Sequence, residues 1–348
     1  MKGSVNLLES ASKQMITNEA RQCWDEMQSM DNIVVTAHRS PDGDAVGSLL
    51  GLLNHLREAG LNAMGILPDR FPTFLSWMPG LEHVLIHDES PQAANSLLMN
   101  ADAIWCLDFN GPSRTGKMET TLRNAPAKKW VVDHHQNPEE FADRLFSNPD
   151  CGSTCELIFD LILGWGQLDE LSLNAAKCLY TGIMTDTGSF RYASVTEHTH
   201  LILAHFLNKG LSQAEIHEWV FDQQSLNRVR LQAYAISSRL RVWMDKGVGM
   251  IGLTKDDLER FGYQAGDTEG IVNSILAIEG VKLAIFAKES EGRIKMSLRS
   301  VGEINVRDLA SKYFNGGGHI HAAGGVFESN SMEVLVSYIE ESIIGQSH

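Results

Sequence analysis

Four clusters of acidic and histidine residues follow apolar segments of the chain. The clusters are His38 with Asp42 and Asp44, then Asp108, then Asp133 with His134 and His135, and finally Asp186. The first three directly follow strand-like runs at 32–37, 103–107 and 130–132, and Asp186 closes a helical pattern that begins at 172. In open α/β sheets the carboxyl ends of parallel strands line one crevice, so we expect the four clusters to converge there.

The chemistry of such a cluster indicates metal ions. Five carboxylates and three imidazoles would share one site, and carboxylates that close raise one another's pKa unless cations compensate them. Mixed carboxylate and imidazole ligands suit Mn²⁺ and permit Mg²⁺, Fe²⁺, Co²⁺ or Zn²⁺. Two ions about 3.5–4 Å apart form the usual clamp for phosphoryl displacement, since they activate water and neutralise phosphoryl oxygens.

Each cluster alone also has an ordinary structural explanation. Asp42 or Asp44 could cap the N-terminus of the following helix, and Asp108 could be a simple loop aspartate. A single Asp-His-His triplet is also a weak motif. The metal site is favoured because four signals occur in order, each at the expected end of its element.

The elements that must position these clusters predict an α/β protein. Strand-like runs alternate with helical patterns at 44–60, 154–163 and 172–184, which predicts a largely parallel sheet. Residues 198–242 contain no proline and favour two or three helices. A second pattern predicts a smaller α/β domain with a partly antiparallel sheet, from strands at 247–253, 282–288 and 293–299, a turn at 289–292, and helices at 305–314 and 332–344. The expected boundaries are a metal-binding catalytic domain at 15–200, a helical connector at 201–242 and a substrate-binding domain at 243–345.

Composition narrows the class of partner. Of 348 residues, 43% are apolar, and the net charge of −15 argues against a protein that grips a long duplex through its phosphates. The five cysteines are an odd number without C-x-x-C spacing, which indicates reduced thiols. The N-terminal stretch lacks the apolar core of a signal peptide, and no apolar run approaches the ~20 residues of a membrane span. We therefore expect a cytoplasmic protein without membrane contact.

Five motifs in order carry a family resemblance. Residues 38–44 read H-x-x-P-D-x-D, residues 133–135 read D-H-H, residues 185–188 read T-D-T-G, and Asp108 stands at a strand end between the first two. Residues 316–325 read GGGHIHAAGG, similar to the G-G-G-H-x-x-A-A-G signature of DHHA1 domains. The chain thus resembles the DHH phosphoesterase family. Its length is similar to that of the nanoRNase and pAp-phosphatase branch, and less like that of the longer RecJ exonucleases.

The resemblance implies a ligand set. One ion would be held by His38, Asp42, Asp108 and Asp186, and the other by Asp44, Asp108 and His134, with Asp186 as a further candidate ligand. Asp108 would then bridge the two ions, with Mn²⁺ preferred and Mg²⁺ permitted. His135 would face the scissile phosphate, and Asp133 would orient a neighbouring histidine.

Several residues are candidates for binding the substrate. Glycines at 316–318 could form an anion-binding backbone nest or a plain turn. By resemblance this segment binds the terminal phosphate or base, and a strand-end arginine binds phosphate. Two loop arginines could contact phosphate or simply lie on the surface. The candidates are Gly316, Gly317, Gly318, His319, Arg299, Arg114 and Arg191. His321 stands where many relatives carry another polar or basic residue, which leaves the base preference open.

The expected activity is hydrolysis of very short oligonucleotides to mononucleotides. By resemblance the substrates are nanoRNA, linear dinucleotides and pAp-like bisphosphates, and a homodimer is one candidate assembly. Three alternatives stay open: a polyphosphate or pyrophosphate hydrolase, a RecJ-like single-strand exonuclease, and a nucleic-acid-binding regulatory module with a vestigial site. The intact ligand set argues against the last of these.

Overall fold

A computed structural model describes residues 18–290, 292–329 and 331–345. The chain divides into two compact units, residues 1–223 and 224–348. Residues 15–17 of the predicted catalytic domain and Glu291 of the predicted turn lie outside the described residues. The predicted connector, 201–242, includes residues from both units.

A six-stranded, all-parallel sheet forms the centre of the first unit, with the order β3-β2-β1-β4-β5-β6. Its strands are β1 Ile33–Thr36, β2 Ala63–Leu67, β3 Val84–Ile86, β4 Ala103–Leu107, β5 Lys128–Asp133 and β6 Arg144–Ser147. The chain runs outward from β1 to β3 and returns to β4, so the strand order reverses between β1 and β4. Ligand crevices form at such switch points, and two of the polar clusters follow these two strands.

Helices cover both faces of this sheet, and the inner strands β1 and β4 are accordingly buried along their length. The helices of the first unit are α1 Asn18–Met27, α2 Gly43–Glu58, α3 Pro91–Met99, α4 Glu119–Asn124, α5 Thr154–Gly164, α6 Leu173–Asp186, α7 Glu197–Asn208 and α8 Gln213–His217. A short π-helical segment, Glu218–Asp222, continues directly from α8.

Helices α2 and α6 approach each other closely because α2 carries glycine at every fourth position. A Cβ atom on Gly43 would meet the side chain of Thr185, one on Gly47 would lie 3.0 Å from the backbone nitrogen of Gly182, and one on Gly51 would lie 3.6 Å from the carbonyl oxygen of Ala175. The contacts run in opposite directions along the two helices, so α2 and α6 are antiparallel. This packing places the N-terminus of α2 beside the C-terminus of α6.

The second unit contains a mixed six-stranded sheet with the order β11-β12-β10-β9-β8-β7. Strands β8 and β9 pair in parallel and the other pairs are antiparallel. The strands are β7 Leu240–Trp243, β8 Val248–Leu253, β9 Leu283–Ser290, β10 Arg293–Ser300, β11 Gly317–Gly318 and β12 Ala322–Phe327. The helices are α9 Leu226–Arg239, α10 Lys255–Arg260, α11 Ile271–Leu276, α12 Val306–Tyr313 and α13 Met332–Ile339.

The structure confirms the predicted fold class: an α/β protein with a parallel sheet in one part and a smaller mixed α/β domain after it. Three α-helices, α7 to α9, occupy most of the region predicted to hold two or three. The prediction was wrong at 240–242, which belong to strand β7. Leu240 and Val242 pack on the core beside β8 there, and β7 pairs with β8 in antiparallel register, so tertiary packing overrides the helical composition. Among the described residues, no helix combines the length and the apolar character that crossing a membrane would require.

Candidate metal centre

The six residues predicted as metal ligands come together at the carboxyl end of the parallel sheet. His38 lies two residues beyond β1, Asp108 directly follows β4, and His134 directly follows β5. These strands are neighbours in the order β1-β4-β5. Asp42 and Asp44 lie at the start of α2, and Asp186 is the last residue of α6, so the antiparallel packing of α2 against α6 brings them to the same place.

Asp108 lies between two histidines and uses one carboxylate oxygen toward each. Its Oδ2 is 3.3 Å from His38 Nε2, and its Oδ1 is 3.5 Å from His134 Nε2. His38 Nε2 is also 3.9 Å from Asp42 Oδ1. His134 Nε2 is 3.8 Å from Asp44 Oδ2. The donor atoms of His38, Asp42 and Asp108 form one group within 4.8 Å, and those of Asp44, Asp108 and His134 form a second.

Asp186 belongs to the His134 side of this cluster. Its Oδ2 lies 3.5 Å from His134 Nε2, which makes it a neighbour of the second group. The resemblance had implied Asp186 mainly for the ion at His38 and left a contribution to the other ion open. The geometry favours the contribution at His134.

The two imidazoles are held in the form that suits a metal ligand. His38 Nδ1 donates to the carbonyl oxygen of Arg39 at 2.9 Å, and His134 Nδ1 donates to that of Cys151 at 3.1 Å. With Nδ1 donating to a carbonyl oxygen, Nε2 is the nitrogen that faces the carboxylates in both cases, and it becomes a ligand when a cation displaces its proton. Metal-bound histidines usually have such a carbonyl or carboxylate partner on the other nitrogen, so the donor set fits divalent cations.

The N-terminus of α5 anchors two of the carboxylates. The backbone N–H groups of Thr154 and Cys155 donate to Asp44 at 2.6 and 3.0 Å, and the Thr154 hydroxyl donates to Asp108 Oδ1 at 3.0 Å. Helix N-termini stabilise negative charge in this way. Thr154 was not among the predicted site residues, although the Ser153 N-cap of α5 gives a recognisable signal in Ser-Thr before an apolar run.

Asp42 and Asp108 each combine the expected chemistry with a local backbone role. Asp42 Oδ1 accepts from the N–H groups of Asp44 and Ala45, both at 3.1 Å. Asp42 therefore caps the N-terminus of α2, which was the ordinary structural explanation for this residue, and it also lies in the cluster of candidate ligands. Asp108 adopts a left-handed conformation with φ of 63°. Residues other than glycine rarely adopt this conformation, and it is enriched at functional sites.

Burial and mutual charge perturb the titration of the cluster. Burial, with the charges of Asp108 and Asp186, raises the pKa of Asp44 well above its ordinary value. Burial also raises the pKa of Asp186 to about 6. Burial opposes ionisation of Asp108 too, but the hydrogen bond and charge of His38 outweigh it and hold that pKa low. Burial lowers the pKa of His134, and the surrounding carboxylates outweigh burial and raise it to about 9. The metal-free cluster therefore retains protons that divalent cations would displace.

His135 and Asp133 form a pair beside these groups. The Nδ1 atom of His135 donates to Asp133 Oδ1 at 2.6 Å and lies 3.8 Å from Asp108 Oδ1. Asp133 is fully buried at the end of β5. Its carboxylate is thus placed to orient His135, whereas His134 takes its orientation from the Cys151 carbonyl.

Two candidate arginines of the first unit follow ligands of the cluster. Arg114 lies in the 3₁₀ segment Pro112–Met118, and the N–H of Arg39 donates to the carbonyl oxygen of Arg114 at 2.8 Å, so this segment runs beside the backbone that follows His38. Arg191 is exposed, and its Nε donates to the carbonyl oxygen of Gly188 at 2.7 Å.

The candidate residues of the second unit cluster at one edge of its sheet. Arg299 of β10 pairs with Ala322 of β12, and the N–H of His319 donates to the carbonyl oxygen of Ala322 at 2.7 Å. Gly317–Gly318 form the edge strand β11 instead of a free turn. A Cβ on Gly316 would collide with the carbonyl oxygen of Gly324, so the glycine there is required by the close approach of two backbones.

Gly182 offers a test of the packing that holds Asp44. A Cβ atom at this position would meet Cys155 Sγ and lie 2.9 Å from Asp44 Oδ1. We expect Gly182→Ala to lower the free energy of unfolding by about 1–3 kcal/mol, as overpacking does, and to lower kcat of the folded fraction. Gly51→Ala on the same helix pair overpacks Leu179 far from the cluster, so it should lose stability and keep kcat. Thermal unfolding and active-site-normalised rates measure both, and equal kcat in the two variants would contradict the expectation.

Comparison with known proteins identifies the family. The N-terminal domain of the DHH family matches residues 32–183, and the DHHA1 domain matches residues 249–345. The bifunctional oligoribonuclease and PAP phosphatase NrnA of Bacillus subtilis (strain 168) is 29% identical over 84% of this chain and 88% of its own. The crystal structure of an exopolyphosphatase-related protein from Bacteroides fragilis is 39% identical, with a TM-score of 0.88 over 94% of this chain and 96% of that one.

A more distant structure shares the fold. RecJ from Thermus thermophilus, crystallised in complex with Mn²⁺, has a TM-score of 0.52 at 13% identity, over 96% of this chain and 55% of that one. Both domain matches occur in the expected order, and the Bacteroides protein resembles the chain over nearly its whole length. The sequence resemblance is therefore confirmed: the chain belongs to the DHH phosphoesterase family and carries a DHH domain followed by a DHHA1 domain.

Proposed function

We propose that this protein hydrolyses very short oligonucleotides, including linear dinucleotides, to mononucleotides, and that it removes a phosphate from pAp. The observation that carries the proposal is Asp108, which turns one oxygen toward His38 and the other toward His134. This arrangement suits two cations that share a bridging carboxylate. The name of the Bacillus subtilis relative, an oligoribonuclease and PAP phosphatase, supports the substrate class.

Most residues of the cluster would hold the metal ions, and two would act on the substrate phosphate. His38, Asp42 and Asp108 would hold one ion, and Asp44, Asp108 and His134 the other, with Asp186 beside it. Two such ions, when bound, activate water and neutralise charge on phosphoryl oxygens, with Mn²⁺ preferred for this ligand set. His135, oriented by Asp133, contacts the scissile phosphate and stabilises the charge that develops on the leaving oxygen.

A few local cations would bind the substrate despite the net charge of −15. In the second unit, Arg299 and the segment Gly316, Gly317, Gly318 and His319 contact the terminal phosphate or base. In the first unit, Arg114 and Arg191 would contact phosphate oxygens beside the metal centre. A set this small suits a substrate of a few nucleotides better than a long strand, which needs many phosphate contacts for affinity.

The experiment compares substrates in one assay with Mn²⁺. A labelled RNA dinucleotide, a 24-mer, pAp and a short polyphosphate are supplied at equal concentration, and mononucleotide and phosphate release are measured. We expect the dinucleotide to be turned over fastest and pAp more slowly. Equal rates on dinucleotide and 24-mer would indicate an exonuclease of the RecJ kind. Turnover of polyphosphate alone would favour a polyphosphatase, the activity to which the name of the Bacteroides fragilis protein refers.

Arg299 gives a second test of the substrate site. Arg299→Ala should chiefly raise KM, by roughly 5- to 150-fold, equivalent to about 1–3 kcal/mol of binding free energy, because a charge-assisted contact to phosphate is lost. Arg293→Ala is the matched control, since Arg293 lies on the same strand at its opposite end. A KM for Arg299→Ala within twofold of that for Arg293→Ala would remove Arg299 from the site.

A further inference from the structure

A strained left-handed turn follows the last residue of α6. Gly188, Ser189 and Phe190 have φ values of 59°, 59° and 63°. We call these three residues the arch. A single left-handed glycine commonly ends a helix, but two further residues with side chains each cost on the order of 1 kcal/mol or more in this conformation. The arch therefore contains more strain than helix termination requires.

The backbone of the arch is tied to the end of α6. The N–H of Ser189 donates to the carbonyl oxygen of Met184 at 2.7 Å, and the N–H of Phe190 donates to Thr187 Oγ1 at 3.1 Å. The N–H of Arg191 donates to the carbonyl oxygen of Thr187 at 2.9 Å. These bonds make the arch a defined conformation that begins two residues after Asp186.

His217, the last residue of α8, holds the arch from outside. Its Nδ1 donates to the carbonyl oxygen of Gln213 at 2.8 Å, so its Nε2 accepts the hydroxyl proton of Ser189 at 3.0 Å. The His217 ring also lies 6.3 Å from Phe190, and Phe190 packs edge-on against Tyr180 at 5.6 Å. One side chain thus contacts both strained residues that carry side chains. The π-helical segment that follows His217 is a rare conformation that occurs frequently at functional sites.

The arch sets the position of Arg191. The guanidinium Nε of Arg191 donates to the carbonyl oxygen of Gly188 at 2.7 Å, so the left-handed backbone orients an exposed cation five residues beyond Asp186. An arch that relaxed to ordinary helical or extended angles would turn this carbonyl away and release the arginine.

We propose that His217 is a positioning residue for substrate binding. Its hydrogen bond to Ser189 keeps the arch in the strained conformation that holds Arg191 ready for a substrate phosphate beside the metal centre. The proposal rests on the proposed function for the identity of the ligand. It assigns to His217 and Ser189 an effect on affinity for phosphate and none on the binding of Mn²⁺.

Four variants separate this role from a general effect on folding. His217→Phe keeps a ring and loses the acceptor, and Ser189→Ala keeps a Cβ atom at the left-handed position and loses the hydroxyl. Tyr180→Phe is the control on the same aromatic group, because the Tyr180 hydroxyl is buried without a hydrogen-bond partner among the described residues. His217→Gln offers an amide oxygen as an acceptor in place of Nε2, so it should keep part of the phosphate affinity that His217→Phe loses.

The measurements are hydrogen exchange of the amides of Ser189, Arg191 and Tyr192, titration of the Mn²⁺-loaded protein with AMP, and steady-state kinetics. For His217→Phe and Ser189→Ala we expect faster exchange at these amides. We also expect the Kd for AMP and the KM for a dinucleotide to rise about three- to tenfold, the effect of one lost hydrogen bond. The kcat and the Mn²⁺ affinity of these two variants should stay within about twofold of wild type. For the Tyr180→Phe control, all the measured constants should stay within that range.

Two results would overturn the proposal. One is that His217→Phe and Ser189→Ala both match wild type in amide exchange and in AMP affinity. The other is a fall in Mn²⁺ affinity and kcat at constant KM, which would mean that His217 acts on Asp186 instead. A wild-type protein that turns over no phosphoester would refute the proposed function, while amide exchange and AMP titration would still decide the role of His217.

Discussion

Replacing Asp108 by asparagine should lower kcat at least about 10³-fold, equivalent to roughly 4 kcal/mol of transition-state stabilisation. The Asp108 carboxylate faces His38 with one oxygen and His134 with the other, and an amide offers only one neutral oxygen to ligate a cation. Asparagine tolerates the left-handed backbone at this position, so the loss would report on the carboxylate and not on the fold. The kcat with saturating Mn²⁺ and dinucleotide measures it.

Asp102→Asn is the matched control for this change. Asp102 precedes β4 at its amino end, where it accepts the N–H groups of Asp31 and Asn32, and Asp108 follows the same strand at its carboxyl end. We expect Asp102→Asn to keep kcat within about twofold. Asp108→Asn with a tenth or more of wild-type activity would show that the bridging assignment is wrong.

Removal of divalent ions should abolish turnover and reveal a pH-dependent loss of stability. The pKa values of Asp44 and Asp186 are raised in the folded, metal-free chain, the latter to about 6 from an ordinary 3.8. Each of these two carboxyl groups therefore contributes its full stabilisation of the fold at a pH below its unfolded-state pKa. It loses that contribution as the pH rises through its folded-state pKa. The pKa of His134, raised from 6.5 to about 9, has the same consequence over a higher range. The pKa of Asp108 is lowered, so its contribution is lost only in acid.

The free energy of unfolding of the metal-free protein should consequently fall as pH rises from about 5 to 9. Cations that displace these protons restore what is lost, so we expect Mn²⁺ to raise the Tm more at pH 8 than at pH 5.5. Thermal scans with chelator and with Mn²⁺ at both pH values measure the difference. An increase at pH 5.5 equal to or larger than that at pH 8 would contradict this expectation.

The clusters at strand ends were predictable because apolar runs mark the strands and parallel strands share one crevice. His38, Asp108 and Asp133 follow from this reasoning alone. The position of Asp186 was harder to derive, because it depends on the approach of α2 to α6. Glycines at 47 and 51 allow that approach, yet from the sequence alone glycine predicts a less stable helix because its helix propensity is low.

The rest of the site depends on tertiary contacts that leave little trace in sequence. The bond from Thr154 to Asp108 joins elements 46 residues apart, and the pairing of Ser189 with His217 involves residue types that are usually surface polar groups. In the second unit, a triple glycine permits a nest, a turn or a strand equally well, and only pairing with β12 selects strand β11.

The most direct test of the two-ion centre is anomalous diffraction at the manganese edge from crystals of the protein grown with Mn²⁺. We expect two peaks about 3.5–4 Å apart with the Asp108 carboxylate between them, one beside His38 and one beside His134. A single peak, or two peaks that do not share Asp108, would contradict the two-ion centre.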